Sequence, residues 1–269
     1  MPDGWVSVRL HSIAALESGG TPSKNRADWW TGPIPWASPK DMKKSRLSDT
    51  RDHISEEGLR NGSRLAPVKS IFVVVRGMIL AKDLPVALAE VPMAFNQDMK
   101  ALITRPVVDP EYLLYALTAQ RDALAKAIST SAHGTRRMET ASLESLLLPL
   151  PSKDEQRRIA GVLAKLEAAV EVQDRAVRSL RELKTATMAK LFREGLRGEP
   201  LKQTEIGEIP RSWDVVQLGT IGKIGNGSTP KRDNPRYWEG GTIPWLTSGK
   251  VHEALIETAD EFISPLARA

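Results

Sequence analysis

A run from about Asp154 to Phe192 constrains this chain more than any other stretch. Only Gly161 interrupts it, and it holds no proline. Apolar residues recur at alternating three- and four-residue steps through Leu163, Leu166, Val170, Val177, Leu180 and Leu191. That spacing is a coiled-coil seam rather than the broad stripe of a helix half-sunk in a globular core. Ser152 stands as N-cap with Glu155 three residues on, a capping-box spacing. Leu163 to Leu191 alone spans about 42 Å at ~1.5 Å per residue. Gln173 and Lys184 are polar positions within the seam, and such residues fix register at a cost in stability. A seam of this kind needs a second helix to cover it.

On either side the chain says nearly the same thing twice. Trp5-Val6-Ser7-Val8-Arg9-Leu10 is echoed by Trp213-Asp214-Val215-Val216-Gln217-Leu218. At a constant shift of 208, Ile13 falls on Ile221, Thr21-Pro22 on Thr229-Pro230 and Trp30 on Trp238. After one inserted residue, Ile34-Pro35-Trp36 meets Ile243-Pro244-Trp245 and Ile54-Ser55 meets Ile263-Ser264. This is a duplicated domain. The second copy reaches only the counterpart of the first copy's short helix when the chain stops at Ala269. The expected division is a first domain at 1–151, a long spacer helix at 152–196, a linker at 197–211 and a shortened second copy at 212–269. With too few partners to close a core, poor order is expected of that last segment.

Local signals place the elements of the first copy. Residues 5–16 alternate as a strand and pass into a turn or short helix near Ile13–Leu16. The prolines around Ile34-Pro35-Trp36 pin an extended path. Ser55 N-caps a short helix at Glu56-Glu57-Gly58-Leu59. Ser70–Val75 is a β-branched strand, with Met78–Ala81, Val86–Ala89 and Ala101–Thr104 as its expected partners. Asp109-Pro110 opens a helix running to about Ile128. Ser131–Arg137 reads as a basic loop, and Leu146–Pro151 as a proline-marked edge strand.

With 41 % hydrophobic and 26 % charged residues the composition is that of a globular chain. A net charge of +5 leans toward polyanions. The absence of cysteine excludes disulfides, thiolate zinc sites and a cysteine nucleophile, and suits a reducing cytosol. No stretch approaches the ~20 apolar residues of a membrane helix, so a cytoplasmic protein without a membrane is expected. Enzyme signatures fail on inspection. Asn234-Pro235-Arg236-Tyr237 approaches an amino-methyltransferase loop, but its counterpart Arg26-Ala27-Asp28-Trp29 shares nothing of it. Gly222–Gly227 reads as a turn, and Glu182-Leu183-Lys184 as a solvated helix face. His11, His53, His133 and His252 are dispersed, with neither metal-ligand nor triad spacing. No catalytic residue, metal or cofactor is assigned.

The candidate polyanion contacts are basic and amide side chains at loops and strand ends. Lys40, Lys43 and Arg46 lie in a basic loop that also holds Lys44 and Arg51, interleaved with Asp41, Asp49 and Asp52; Arg76 ends a strand; Thr135, Arg136 and Arg137 follow Gly134. Arginine can pair with phosphate or reach guanine bidentately. Asn96 and Gln97 suit adenine edges and could equally satisfy backbone groups. The repeated Trp and Pro positions read as core anchors and rigid turns.

Taken in order, these motifs resemble the DNA-specificity (S) subunits of type I restriction–modification systems. The resemblance rests on Gly20-Thr21-Pro22, Ile34-Pro35-Trp36, Ile54–Leu59, Val75–Leu80, Phe95–Leu102, His133-Gly134-Thr135, Leu148–Pro151 and Glu155–Ile159. It implies an α/β target-recognition domain with a twisted, largely antiparallel sheet, followed by one long coiled-coil helix and an incomplete second copy of the domain. It further implies a non-catalytic subunit that binds double-stranded DNA. Such a subunit directs methyltransferase (M) subunits, which methylate adenine with S-adenosylmethionine, and an ATP-dependent restriction (R) subunit. Within the family two recognition domains are separated by two antiparallel helices. Here the second helix is missing, so the seam is expected to be filled by a second copy in an antiparallel homodimer, unless the chain is a non-functional fragment. A stand-alone DNA methyltransferase or nuclease and a coiled-coil adaptor without DNA binding are the competing readings.

Overall fold

The structure, a computed structural model, describes residues 2–130, 135–252 and 255–268. The chain forms two compact units, residues 1–180 and 181–269, with the boundary inside the long helix rather than at either of its ends.

In the first unit, β1 (Val6–Arg9) leads through a single helical turn, α1 (Leu10–Ile13), into β2 (Ala14–Ser18). The expected helical segment therefore comes three residues early, where Leu10 and Ile13 are driven inward, and Ala14–Ser18 is free to pair. There follow β3 (Ile34–Ala37), β4 (Arg46–Leu47), β5 (Asp52–Ile54), α2 (Glu56–Gly62) and β6 (Leu65–Ala66). Next come β7 (Ile71–Val74), β8 (Val86–Ala89), β9 (Met93–Phe95) and β10 (Met99–Thr104). Ser55 caps α2 as read, its Oγ accepting from the Gly58 N–H at 3.2 Å.

Five strands form one sheet in the order β2-β10-β7-β8-β4, and four form a second, β5-β3-β9-β6. All their pairings are antiparallel except β4 with β8 and β3 with β9. β7, β8 and β9 are buried at every position, which is why they read as unbroken apolar runs instead of alternating ones. Phe72 and Phe95 meet in the core with ring centroids 5.2 Å apart. Met78–Ala81 is not a strand. Gly77 turns the backbone to φ +134°, and the Leu80 N–H closes a 3₁₀ turn onto its carbonyl at 3.2 Å.

α3 (Pro110–Ala119) starts on Asp109, whose carboxylate accepts from the N–H groups of Glu111 and Tyr112 at 3.0 and 3.2 Å. It stops earlier than the sequence suggests. Gln120 leaves the helical region and a five-residue α4 (Arg121–Ala125) follows. Ile128, expected to be helical, begins β11 (Ile128–Thr130), which pairs antiparallel with β12 (Arg136–Met138). Arg136 and Arg137 thus lie on a strand, not in a loop, because the Met138 N–H bonds the Val75 carbonyl at 2.9 Å. After α5 (Thr140–Glu144), β13 (Leu147–Leu150) pairs with β1 alone, consistent with its proline.

The long helix, α6, is continuous from Lys153 to Glu194. Ser152 Oγ accepts from the Glu155 N–H at 3.3 Å. Gln156 anchors its first turn. The side chain is 1 % exposed, accepts from the Asp109 N–H at 2.8 Å and donates to the carbonyls of Pro151 and Val107 at 2.9 and 3.2 Å. Tyr112 Oη donates to the Pro149 carbonyl at 2.7 Å, and Tyr115 Oη to Glu167 Oε2 at 2.8 Å. α3 thereby holds both the strand before α6 and α6 itself about four turns in, at Glu167.

In the second unit the stretch read as a linker contains a hairpin, β14 (Leu201–Thr204) with β15 (Gly207–Pro210). Arg193 of α6 pairs with Glu208 at 3.3 Å, and Glu199 holds Ser212. α7 (Leu218–Ile221), β16 (Ile243–Trp245) and β17 (Glu261–Ile263) complete the copy.

The repeat is preserved atom by atom where it is local. Ile34 pairs with Ile54 and Ile243 with Ile263. Trp30 meets Trp36 edge-on at 5.0 Å, and Trp238 meets Trp245 at 5.2 Å. Trp30 Nε1 donates to the Ser23 carbonyl at 3.2 Å, and Trp238 Nε1 to that of Lys231 at 3.1 Å. The long-range part differs. Leu10 and Ile13 are 0 % and 3 % exposed, whereas Leu218 and Ile221 are 66 % and 67 % exposed. Among the described residues, the strands that bury the former have no counterpart in the second unit.

Candidate nucleic-acid interface

The loop entering β4 folds around its own carboxylates. Asp41 Oδ2 accepts from the Ser38 N–H and Oγ at 2.9 and 2.7 Å, and Oδ1 from the Arg51 N–H at 3.0 Å. Asp49 Oδ1 accepts from the Thr50 N–H and lies 2.9 Å from His53 Nε2. With these acids spent on turn geometry, Lys40, Lys43, Lys44 and Arg51 line a cleft of about 450 Å³. Among the described residues none of the four has an ion-pair partner. Lys44 and Arg51 belong to the basic loop read from the sequence, although only Lys40, Lys43 and Arg46 are singled out there as contact candidates. The signal was present, since Ser38 three residues before Asp41 marks that carboxylate as a turn-former.

Arg46 lines the same cleft but is committed. Its guanidinium lies 3.2 Å from Glu111 and 3.8 Å from Glu90. Burial works against its charge, but the bonds it makes to Glu111 and Tyr115 outweigh this and hold its pKa above the ordinary value. Glu111 answers it: Lys69 at 2.8 Å, then Arg46, hold its carboxyl below the usual range. Arg46 therefore ties β4 to α3.

A second basic group forms where β7 ends. Arg76 and Arg137 make an antiparallel bridge, and the Gly77 N–H bonds the Arg136 carbonyl at 3.0 Å. Arg76 lies 3.8 Å from Asp98 and Arg137 3.5 Å from Glu139, both arginines loosely held and half exposed, while Arg136 has no ion pair among the described residues. Thr135 precedes this strand; His133 and Gly134 lie outside the described residues.

The sheet register keeps the two groups apart. Arg46 is level with Leu88, and Leu88 with Ile71. Arg76 stands five residues beyond Ile71, about 16 Å along the strand at ~3.3 Å per residue and two strands across. The amide candidates join neither group. Asn96 Oδ1 accepts from the Asp98 N–H at 2.5 Å, and Gln97 Oε1 accepts from the Thr21 hydroxyl. Both brace turns.

Along α6, the seam residues Leu166, Val170, Val177, Leu180 and Leu191 are exposed, as is Gln173, and Leu163 is half-buried. Beside Leu163, Leu166 and Val170 runs a groove of about 460 Å³ walled by Tyr115 and Ser45. Among the described residues no group of three or more His, Asp or Glu could hold a metal, and no helix is long and apolar enough to cross a membrane.

The family model for the type I restriction modification DNA specificity domain matches residues 2–177 and 210–267, which is both copies of the repeat and most of α6. The chain belongs to that family. Its relatives among specificity domains include a type I restriction enzyme specificity subunit of Escherichia coli, 37 % identical over 160 residues. That alignment covers 59 % of this chain and 40 % of the relative. A type I specificity subunit of Methanocaldococcus jannaschii is 28 % identical over 99 % of this chain and 62 % of its own length. The chain thus spans about two fifths to three fifths of these relatives. Among solved structures, the type I S subunit of M. genitalium aligns over 97 % of this chain and 62 % of its own, with TM-score 0.51 and 18 % identity. A chain from a study of assembly and conformational transition of the type I R-M system aligns over 73 % and 47 %, with TM-score 0.55 and 22 % identity. These two carry the fold: mixed α/β recognition sheets with a long helix.

Proposed function

We propose that this chain is the DNA-reading subunit of a type I restriction–modification complex and performs no chemistry itself. Its first domain binds one half of a split duplex target. The cleft of Lys40, Lys43, Lys44 and Arg51 contacts phosphates, and Arg76, Arg136 and Arg137 reach toward a groove. The protein works in the cytoplasm beside methyltransferase subunits, which use S-adenosylmethionine to methylate adenine, and a restriction subunit. The seam of α6 pairs with the same helix of a second copy. The target is then a symmetric, interrupted palindrome, since a twofold dimer presents two identical readers.

The observation that carries this reading is the set of cations without acidic partners on the domain matched by the specificity-domain family. The test is fluorescence anisotropy on a duplex at varied salt. Wild-type protein is expected to bind with affinity that falls steeply with salt. Lys40→Gln/Lys43→Gln/Lys44→Gln is expected to lower the slope of log affinity against log salt by roughly 0.9 for each phosphate that is no longer neutralised. No binding to a random duplex library at low salt, with methyltransferase subunits present, would overturn it.

A further inference from the structure

We infer that the two polar residues of the α6 seam, Gln173 and Lys184, set the register of an antiparallel pair of these helices, each lying opposite the other residue of the second copy. The inference rests on the self-pairing proposed above and goes beyond it by fixing one alignment among several.

Seam positions on α6 recur every three and four residues, so two antiparallel copies can slide past one another only in steps of seven. In one alignment Val177 lies opposite Leu180 of the second copy, Leu166 opposite Leu191, and Gln173 opposite Lys184. Every such contact occurs twice about the twofold axis. The Lys184 ammonium then reaches the Gln173 amide oxygen of the second copy, its methylene stem lying along the seam. Of the other layers, Val177–Leu180 and Leu166–Leu191 are apolar, while Val170 lies opposite Thr187 and Leu163 opposite Glu194, the last residue of α6.

The flanking charges select the same alignment. Asp174 and Arg181 each follow a seam residue by one position, on the same side of the helix. In this register Asp174 stands within about 3 Å along the axis of Arg181 of the second copy, at ~1.5 Å per residue. Sliding by seven in one direction sets Asp174 against Asp174 and buries Lys184 against Leu166; it also brings Arg181 to Glu167, a carboxylate already bonded by Tyr115 in its own chain. Sliding by seven in the other sets Arg181 against Arg181 and Lys184 against Leu180. Like charges so placed are destabilising. Within its own chain none of the side chains of Gln173, Asp174, Arg181 or Lys184 has a hydrogen-bond or ion-pair partner among the described residues, so all four are free for this role. Glu167, on the same flank, meets Met188 of the second copy and is already satisfied in its own chain by Tyr115 at 2.8 Å.

The chain contains no cysteine, so engineered thiols report contacts without background. Full-length Leu166→Cys/Leu191→Cys and Leu166→Cys/Lys184→Cys are oxidised in parallel, after light scattering of both and of the wild type under reducing conditions. The two positions in each variant lie too far apart on one helix to join within a chain. The expected result is a dimer in which the first variant cross-links to near completion and the second does not, since a disulfide needs its Cα atoms within about 7 Å. A dimer in which only the second variant cross-links would overturn the register and leave self-pairing intact. A monomer at all accessible concentrations would overturn both.

Discussion

Gln156 joins the recognition domain to the long helix, and its removal has a calculable effect. The side chain is buried and makes three hydrogen bonds, accepting from the Asp109 N–H and donating to two carbonyls. Gln156→Leu keeps nearly the same volume and deletes all three. At about 0.5–1.5 kcal/mol net for each bond, with the buried Asp109 N–H left without an acceptor, the loss is about 2–4 kcal/mol. Asp109 also caps α3, so the damage falls on the joint between α3 and α6. At roughly 2–4 °C per kcal/mol for a domain of this size, thermal unfolding of the first unit shifts down by about 5–15 °C. Gln156→Glu tests the geometry further. It puts an oxygen where the amide nitrogen faces two carbonyls, so its carboxyl is expected to favour the neutral, donating form. A raised folded-state pKa on an acid means the penalty is largest at high pH and is relieved as pH falls through that pKa. Urea unfolding followed by circular dichroism at pH 5 and pH 8 measures both variants. A Gln156→Leu midpoint equivalent to less than about 0.5 kcal/mol of loss would refute the reasoning.

Other consequences are separable. Because Lys69 and then Arg46 hold the Glu111 pKa below the ordinary carboxylate range, the stability it contributes is present above that range and lost as pH falls through the lowered value. Glu111→Gln should therefore flatten the decline of the melting temperature between pH 5 and pH 3. Gly19→Ala would push a Cβ into the carbonyls of Phe95 and Asn96 and should cost about 2–3 kcal/mol, whereas Gly227→Ala, at the repeat-equivalent position with open space around it, should be neutral in urea unfolding. Asp174→Arg sets arginine against arginine twice in the proposed pair and should loosen self-association about tenfold in sedimentation equilibrium, with Asp174→Arg/Arg181→Asp restoring it.

The elements legible in the sequence were those whose signal is carried within one turn or one strand. Ser55 and Asp109 announced their helices because a cap is made with N–H groups two or three residues away. Ser70–Val75 announced a buried strand by β-branched composition. The elements misread were decided by distant partners. Arg136–Met138 is extended because Val75 and Gly77 bond to it, and nothing in Thr135-Arg136-Arg137 encodes that neighbour. Met78–Ala81 has the composition of a strand but follows a glycine at positive φ that turns the chain away. In the candidate interface, charge and position were readable but commitment was not. Arg46 looks like Lys43 in the sequence, and only the approach of Glu111, 65 residues on, separates a fastener from a free cation.

By itself the sequence determined the long helix and the duplication around it. Heptad spacing and matched Trp-Pro motifs are repeated local statements, and the paired tryptophans form alike in both copies because their partners lie within a few residues or one hairpin. Only the tertiary structure decided what those repeats are worth. Leu10 and Leu218 occupy equivalent places, yet one is sealed under strands 60–150 residues away and the other faces solvent. The seam of α6, read as half of a pair, stands exposed from Leu166 onward for the same reason. Burial depends on chain arriving from elsewhere, and sequence periodicity records the face that needs covering, not the surface that covers it.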